Sequence, residues 1–225
     1  MKKNWWKIIA VVFVLYTIIA GFLFKVPALP MVHESVRNLY YHVPMWFSMI
    51  VILFVSLWHS VKYLYKFNIQ NDIIASQAAS VGTLLGILGI ATGSVWTRYT
   101  WGESSGLWWV NDVKLNGAAI TLLIYTAYFI LRGSIDEEQK RARISAVYNI
   151  FAYVMLIVFL LILPRLTDSL HPGNGGNPGF SNYDLDSNMR LVFYPAVIGW
   201  ILMGVWIMTL RVRVEKLKRK NLINE

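Results

Sequence analysis

The chain contains no cysteine. That excludes a disulfide, an iron–sulfur cluster, a thiolate zinc site and a thioether-linked cofactor within it. Acids are scarce too, with 12 Asp and Glu against 21 Lys and Arg in 225 residues. The long apolar runs carry essentially none of them in their interiors, so an ion- or proton-coupled transporter lacks its usual intramembrane carboxylates. There is no Ser–His–Asp signature and no glycine-rich phosphate loop. The four histidines stand singly, without the H-x-x-x-H spacing of a zinc site.

What the chain has is apolar length. It is 56% hydrophobic, with a mean hydropathy of +0.50. Six apolar runs stand at about residues 5–24, 44–64, 75–96, 117–132, 146–164 and 191–210, each near the length that crosses a bilayer as a helix. The expectation is an all-α integral membrane protein, a six-transmembrane-helix bundle forming one polytopic domain over residues 1–225. The first run follows MKKNWWK and is too long for a signal peptide. No small-residue cleavage site precedes Lys25, so it reads as a retained helix. Pro44 suits the first turn of the second helix. Gly82, Gly86, Gly89 and Gly93 fall at helical intervals in the third and read as close helix packing.

The charge of +9 raises nucleic acid as a partner, but the basic residues flank the apolar runs and form no single stripe. With the N-terminus inside, segments 1–7, 62–74, 132–145 and 211–225 carry fifteen Lys and Arg. The outer segments carry six: Lys25, Arg37, Arg98, Lys114, Arg165 and Arg190. This asymmetry puts both termini in the cytoplasm and makes 25–43, 97–116 and 165–190 the external loops. Loop 97–116 is Trp-rich. Loop 165–190, with HPGNGGNPGF, cannot form a regular element and reads as a flexible loop, a flap over the site or a docking strip for a partner. Its Asp184 and Asp186 have incomplete calcium spacing.

That orientation gathers the chemistry on one side. His42 ends the first external loop and His171 opens the third. His59 lies 17 residues beyond His42 on the same run, roughly 25 Å away by helix rise, so the two cannot share a metal. His33 is a loop histidine or a substitute ligand. Trp101, Trp108 and Trp109 sit in the second loop, the last two among polar residues, unlike an interfacial belt. An aromatic surface beside two histidines suits a large flat ligand with an axially ligatable metal, as haem is. On residue pattern alone, His42 and His171 read equally as ordinary interfacial histidines. Arg37 and Lys114 read equally as partners of ligand carboxylates or as interfacial charges. Asp112 fixes a loop turn or binds a partner donor.

Three blocks carry a family resemblance. They are ESVRNLYYHVP at residues 34–44, GSVWTRYTWG followed by WWVND, and Leu170-His171-Pro172-Gly173. The chain resembles the CcmC/CcsA family of cytochrome c assembly proteins, whose external "WWD" segment reads W-G-x-x-W-x-W-D. It resembles the compact haem exporter protein C type more than the larger family members. Here several additional residues separate Trp101-Gly102 from Trp108-Trp109, and Asn111 replaces the last tryptophan.

The resemblance implies haem delivery for cytochrome c maturation on the periplasmic side of the bacterial cytoplasmic (inner) membrane. It implies His42 and His171 as axial ligands of a transient, non-covalent haem b. It also implies a platform of Trp101, Trp108 and Trp109; beside these, Arg37, Lys114 and Asp112 stand from the residue pattern as candidate propionate or local contacts. No other metal is implied. The implied partners are a haem chaperone and other maturation proteins, including an ABC-type transporter. Such a protein transfers haem and is no enzyme in the strict sense. Two other readings are a b-type cytochrome subunit of a quinone-linked redox enzyme and a membrane scaffold without haem.

Overall fold

A computed structural model describes residues 4–27, 33–101, 106–171 and 185–224. The structure is all-helical among these residues. Helix α1 spans Trp5–Leu23, α2 Leu39–Lys66, α3 Ile69–Thr100, α4 Val113–Gly133, α5 Glu138–Ile157, α6 Leu163–Leu166 and α7 Ser187–Asn224. A 3-10 turn, His33–Asn38, feeds α2, and a π turn, Val158–Ile162, joins α5 to α6. Six helical segments are long and apolar enough to cross a membrane, with α5, the π turn and α6 acting as one. Residues 102–105 and 172–184 lie outside the described residues. The expectation of a flexible flap falls largely on them.

Helices α2, α3, α4, α5 and α7 overrun their apolar runs. α5 begins at Glu138, eight residues before its apolar run, with Ala142, Ser145 and Ala146 already buried. The start of α2 also differs from expectation. Pro44 does not open the helix but lies inside it, since the preceding 3-10 turn runs straight into Leu39. His42 is therefore a residue of the first turn of α2 and not of a loop.

α2 is the centre of the bundle, packed against α3, α5 and α7. Met49, Ile52 and Leu53 of α2 are fully buried with Ala78, Val81 and Leu85 of α3, Tyr125 of α4, and Ala152 and Leu156 of α5. The α3 glycines let α2 approach. A Cβ on Gly82, Gly86, Gly89 or Gly93 would meet Leu53, Met49, Trp46 or His42 respectively. Each step along α3 is matched by an equal step back along α2, as an antiparallel pair requires. The turn between them is short. Phe67 takes the left-handed conformation at φ 48°, and Asn68 caps α3 by accepting from the Gln70 amide at 2.9 Å.

Pro164 accounts for the π turn. It has no N–H to give and its ring crowds the carbonyl four residues back, so the preceding turn widens. The Leu163 amide then reaches Val158 O. The displaced Phe159 carbonyl lies against Gly117 of α4, where a Cβ would collide with it.

At the end of the bundle holding the α2–α3 turn, Arg132 of α4 grips Asp72 of α3 with two bonds, 2.7 and 2.6 Å long. Asp72 is 3% exposed. Asp72→Asn leaves a buried guanidinium without its counter-charge. The expected cost is about 3–5 kcal/mol, read as a lower midpoint of thermal unfolding in detergent. An unchanged midpoint would show the pair to be dispensable.

Candidate functional site

A cavity of about 270 Å³ opens between α2, α3, α4, the π turn and the start of α7. Both His42 and His171 line it, with Trp46, Trp96, Trp109 and Lys114. Most of the remaining wall is apolar, including Val43, Phe47, Leu115 and Leu160. Two histidines 129 positions apart in the chain thus share one chamber.

His42 is 9% exposed. Its Nδ1 lies 2.9 Å from Gly89 O and 3.2 Å from Thr92 Oγ1, both on α3. A carbonyl can only accept, so Nδ1 carries the proton and Nε2 keeps its lone pair. Gly93 makes room for the ring, since a Cβ there would stand 2.6 Å from His42 Cε1. Trp46 closes against the imidazole edge-on, with centroids 6.2 Å apart.

His171 is held by Asp112, whose Oδ1 lies 2.9 Å from His171 Nδ1. The approach falls off the hydrogen-bond axis, so the carboxylate acts on the ring through its field, which favours a proton on Nδ1. It again engages Nδ1 and leaves Nε2 for a ligand. Trp101 packs edge-on to the His171 ring at 4.7 Å, and Trp96 stands 6.5 Å from it.

Asp112 ties two loops together. It caps α4, accepting from the Lys114 and Leu115 amides at 2.9 and 3.3 Å. Its other oxygen accepts from Ser169 Oγ and the Leu170 amide, both at 2.8 Å. Burial pushes the carboxyl up, but the His171 ring, the Ser169 hydroxyl and the Leu170 amide outweigh it and hold it below the usual carboxylate range. A depressed carboxylate adds stability above its unfolded value, near 3.8, and loses it as pH falls through the folded value. The tie is therefore complete at neutral pH and fails only in strong acid.

The remaining sequence candidates separate. Of the three loop tryptophans, Trp109 lines the cavity and donates from Nε1 to Asn116 Oδ1 at 3.1 Å. Trp101 packs on His171, while Trp108 is 60% exposed and off the cavity wall. Arg37 is engaged elsewhere, by Glu34 at 2.6 Å and by the carbonyls of Gly21 and Phe24. It does not line the cavity, whereas Lys114 does. His59 lies far down α2, with its Nδ1 2.9 Å from Asn71 Oδ1 at the opposite end of the bundle.

Sequence reasoning missed Gly89, Thr92, Gly93 and Trp46. The signal was the glycine stripe of α3, which does more than pack. Gly82 and Gly86 admit Leu53 and Met49, and Gly89 and Gly93 admit Trp46 and His42.

A family model described as "Heme exporter protein C" (CcmC) matches residues 1–224. The chain belongs to the haem exporter protein C family. Curated proteins named "Heme exporter protein C" are similar over most of its length. That of Rhodobacter capsulatus is 24% identical over 215 residues, covering 93% of this chain and 85% of the relative. That of Paracoccus denitrificans is 23% identical over 188 residues, covering 83% and 75%. That of Escherichia coli is 24% identical over 189 residues, covering 80% and 70%. For a member of the haem exporter protein C family the cargo to test against the cavity is haem. The residues fit it: two imidazoles each with Nδ1 occupied, apolar and aromatic walls, and a lysine among the lining residues.

Proposed function

We propose that this chain holds haem between His42 and His171 on the outer side of the bacterial cytoplasmic membrane and passes it to a haem chaperone for cytochrome c maturation. The observation that carries this reading is the pair of imidazoles lining one cavity, each turned to a protein oxygen through Nδ1. Anchoring one ring nitrogen fixes the tautomer and orientation that ligation by the other requires.

The chain's own part is to hold and to let go. Two neutral imidazoles bind iron without any covalent tie to the macrocycle, which suits a transient occupant. Val43, Phe47 and Leu160 give the cavity an apolar lining that would keep water from a bound macrocycle, and Trp109 adds an aromatic wall. Lys114 offers a cation to a propionate. Asp112, with all its contacts inside the protein, serves the loops instead. An ABC-type transporter and other maturation proteins are the partners this reading supports.

Purified protein loaded with haem b is expected to give a six-coordinate absorption spectrum and to transfer haem to an acceptor apoprotein without reducing quinone. Quinone-coupled redox cycling with no transfer would favour the cytochrome reading, and no haem retention would favour the scaffold.

Sidedness rests on the fifteen-to-six charge distribution. Cysteines placed at residues 104 and 176 are expected to react with impermeant thiol reagents from outside intact cells. Those at 70 and 138 are not. The reverse labelling would put the cavity on the wrong side for delivery to the periplasm.

A further inference from the structure

The two imidazoles on the cavity are anchored by unlike groups. His42 Nδ1 meets a neutral carbonyl, Gly89 O, and a neutral hydroxyl, that of Thr92. That hydroxyl also lies 2.8 and 3.0 Å from the carbonyls of Leu88 and Gly89. His171 Nδ1 meets a carboxylate whose side chain is 1% exposed. Buried in this way, the carboxylate is less screened than a surface charge. A negative charge 2.9 Å from Nδ1 favours the proton on that nitrogen and polarises the ring toward Nε2, making Nε2 the better donor.

Resting on the haem-binding reading above, we propose that Asp112 is a positioning residue that makes the two ligands unequal. His171 is the strong, fixed ligand and His42 the weak one, at which release of haem opens. The backbone serves the same end. The carboxylate that faces the His171 ring also holds the Leu170 amide and Ser169 hydroxyl and caps α4. Ring and backbone of His171 are thus indexed to one buried group. His42 Nδ1 is tied instead to neutral groups of a neighbouring helix.

Resonance Raman spectra of ferrous, haem-loaded single variants separate the two bonds. In His42→Gly the iron keeps His171, and in His171→Gly it keeps His42. The iron–imidazole stretch is expected at higher frequency in His42→Gly. Adding Asp112→Asn should lower it there and leave it unchanged in His171→Gly. Asn caps a helix as well as Asp, so α4 keeps its start. Ser169→Ala loosens the loop but keeps the charge, and should move neither band. Carbon monoxide added to the ferrous wild type should give the iron–CO stretch of His42→Gly.

Equal stretches in the two single variants overturn the proposal. So does an equal shift of both by Asp112→Asn, a Ser169→Ala shift matching that of Asp112→Asn, or a wild-type CO band matching His171→Gly. A haem-free readout keeps this distinct from the proposed function. ¹⁵N-histidine NMR of the apoprotein should show His171 as the Nδ1–H tautomer, released to a mixture by Asp112→Asn. A tautomer indifferent to Asp112→Asn contradicts the positioning role. If the wild type and both single histidine variants all fail to retain haem, the haem-binding reading fails, and the NMR result still decides what Asp112 does.

Discussion

Replacing either His42 or His171 by Gly is expected to cut haem retention on the order of 10–100-fold or more, since losing only a group that supports a ligand costs that much. The haem that remains should be five-coordinate. Free imidazole should enter the space left by the side chain, restore the six-coordinate spectrum and recover part of the occupancy. The two positions respond alike in coordination number because both rings line the same cavity. His59→Gly should change neither occupancy nor spectrum, because His59 pairs with Asn71 at the other end of α2. A single variant that stays six-coordinate without imidazole would remove that residue from the pair.

Gly93→Ala is expected to reproduce much of the His42 defect without touching a ligand. The new Cβ would stand 2.6 Å from His42 Cε1, so the ring must turn off the Gly89 carbonyl that fixes it. Overpacking of this kind costs about 1–3 kcal/mol, and loss of the anchor should weaken haem binding roughly 10–100-fold. Gly86→Ala is the control. Its Cβ would press on the flexible Met49 side chain and on Leu122, so it should lower the thermal midpoint similarly while haem binding holds. If Gly86→Ala and Gly93→Ala lose haem equally, the effect is one of helix packing and not of His42.

The six crossings were legible because hydropathy is a local property summed over about twenty residues. Helix ends were not, because burial of one face carries α5 back to Glu138 among charged neighbours. His42 was read as a loop residue from the position of Pro44. The helix begins earlier because the 3-10 turn hands directly to Leu39 and carries the chain past the proline. The candidate pair was recognisable from topology and resemblance, but what holds each ring was not. The partners of His42 lie 47 and 50 residues away on α3, and those of Asp112 on the third loop 57 and 58. No local pattern encodes such contacts. The glycine stripe did mark where α2 and α3 touch, but a glycine that admits an imidazole looks the same in sequence as one that admits a leucine. The Asp72–Arg132 pair escaped notice because both residues stand just at or beyond the ends of their apolar runs.

The central claim is that these two histidines together hold the iron. The absorption spectrum of the His42→Gly, His171→Gly double variant, loaded with haem b without added imidazole, tests it most directly. The account predicts little retained haem and no six-coordinate species. A six-coordinate spectrum that persists in the double variant would contradict it, and His33 would become the first residue to replace.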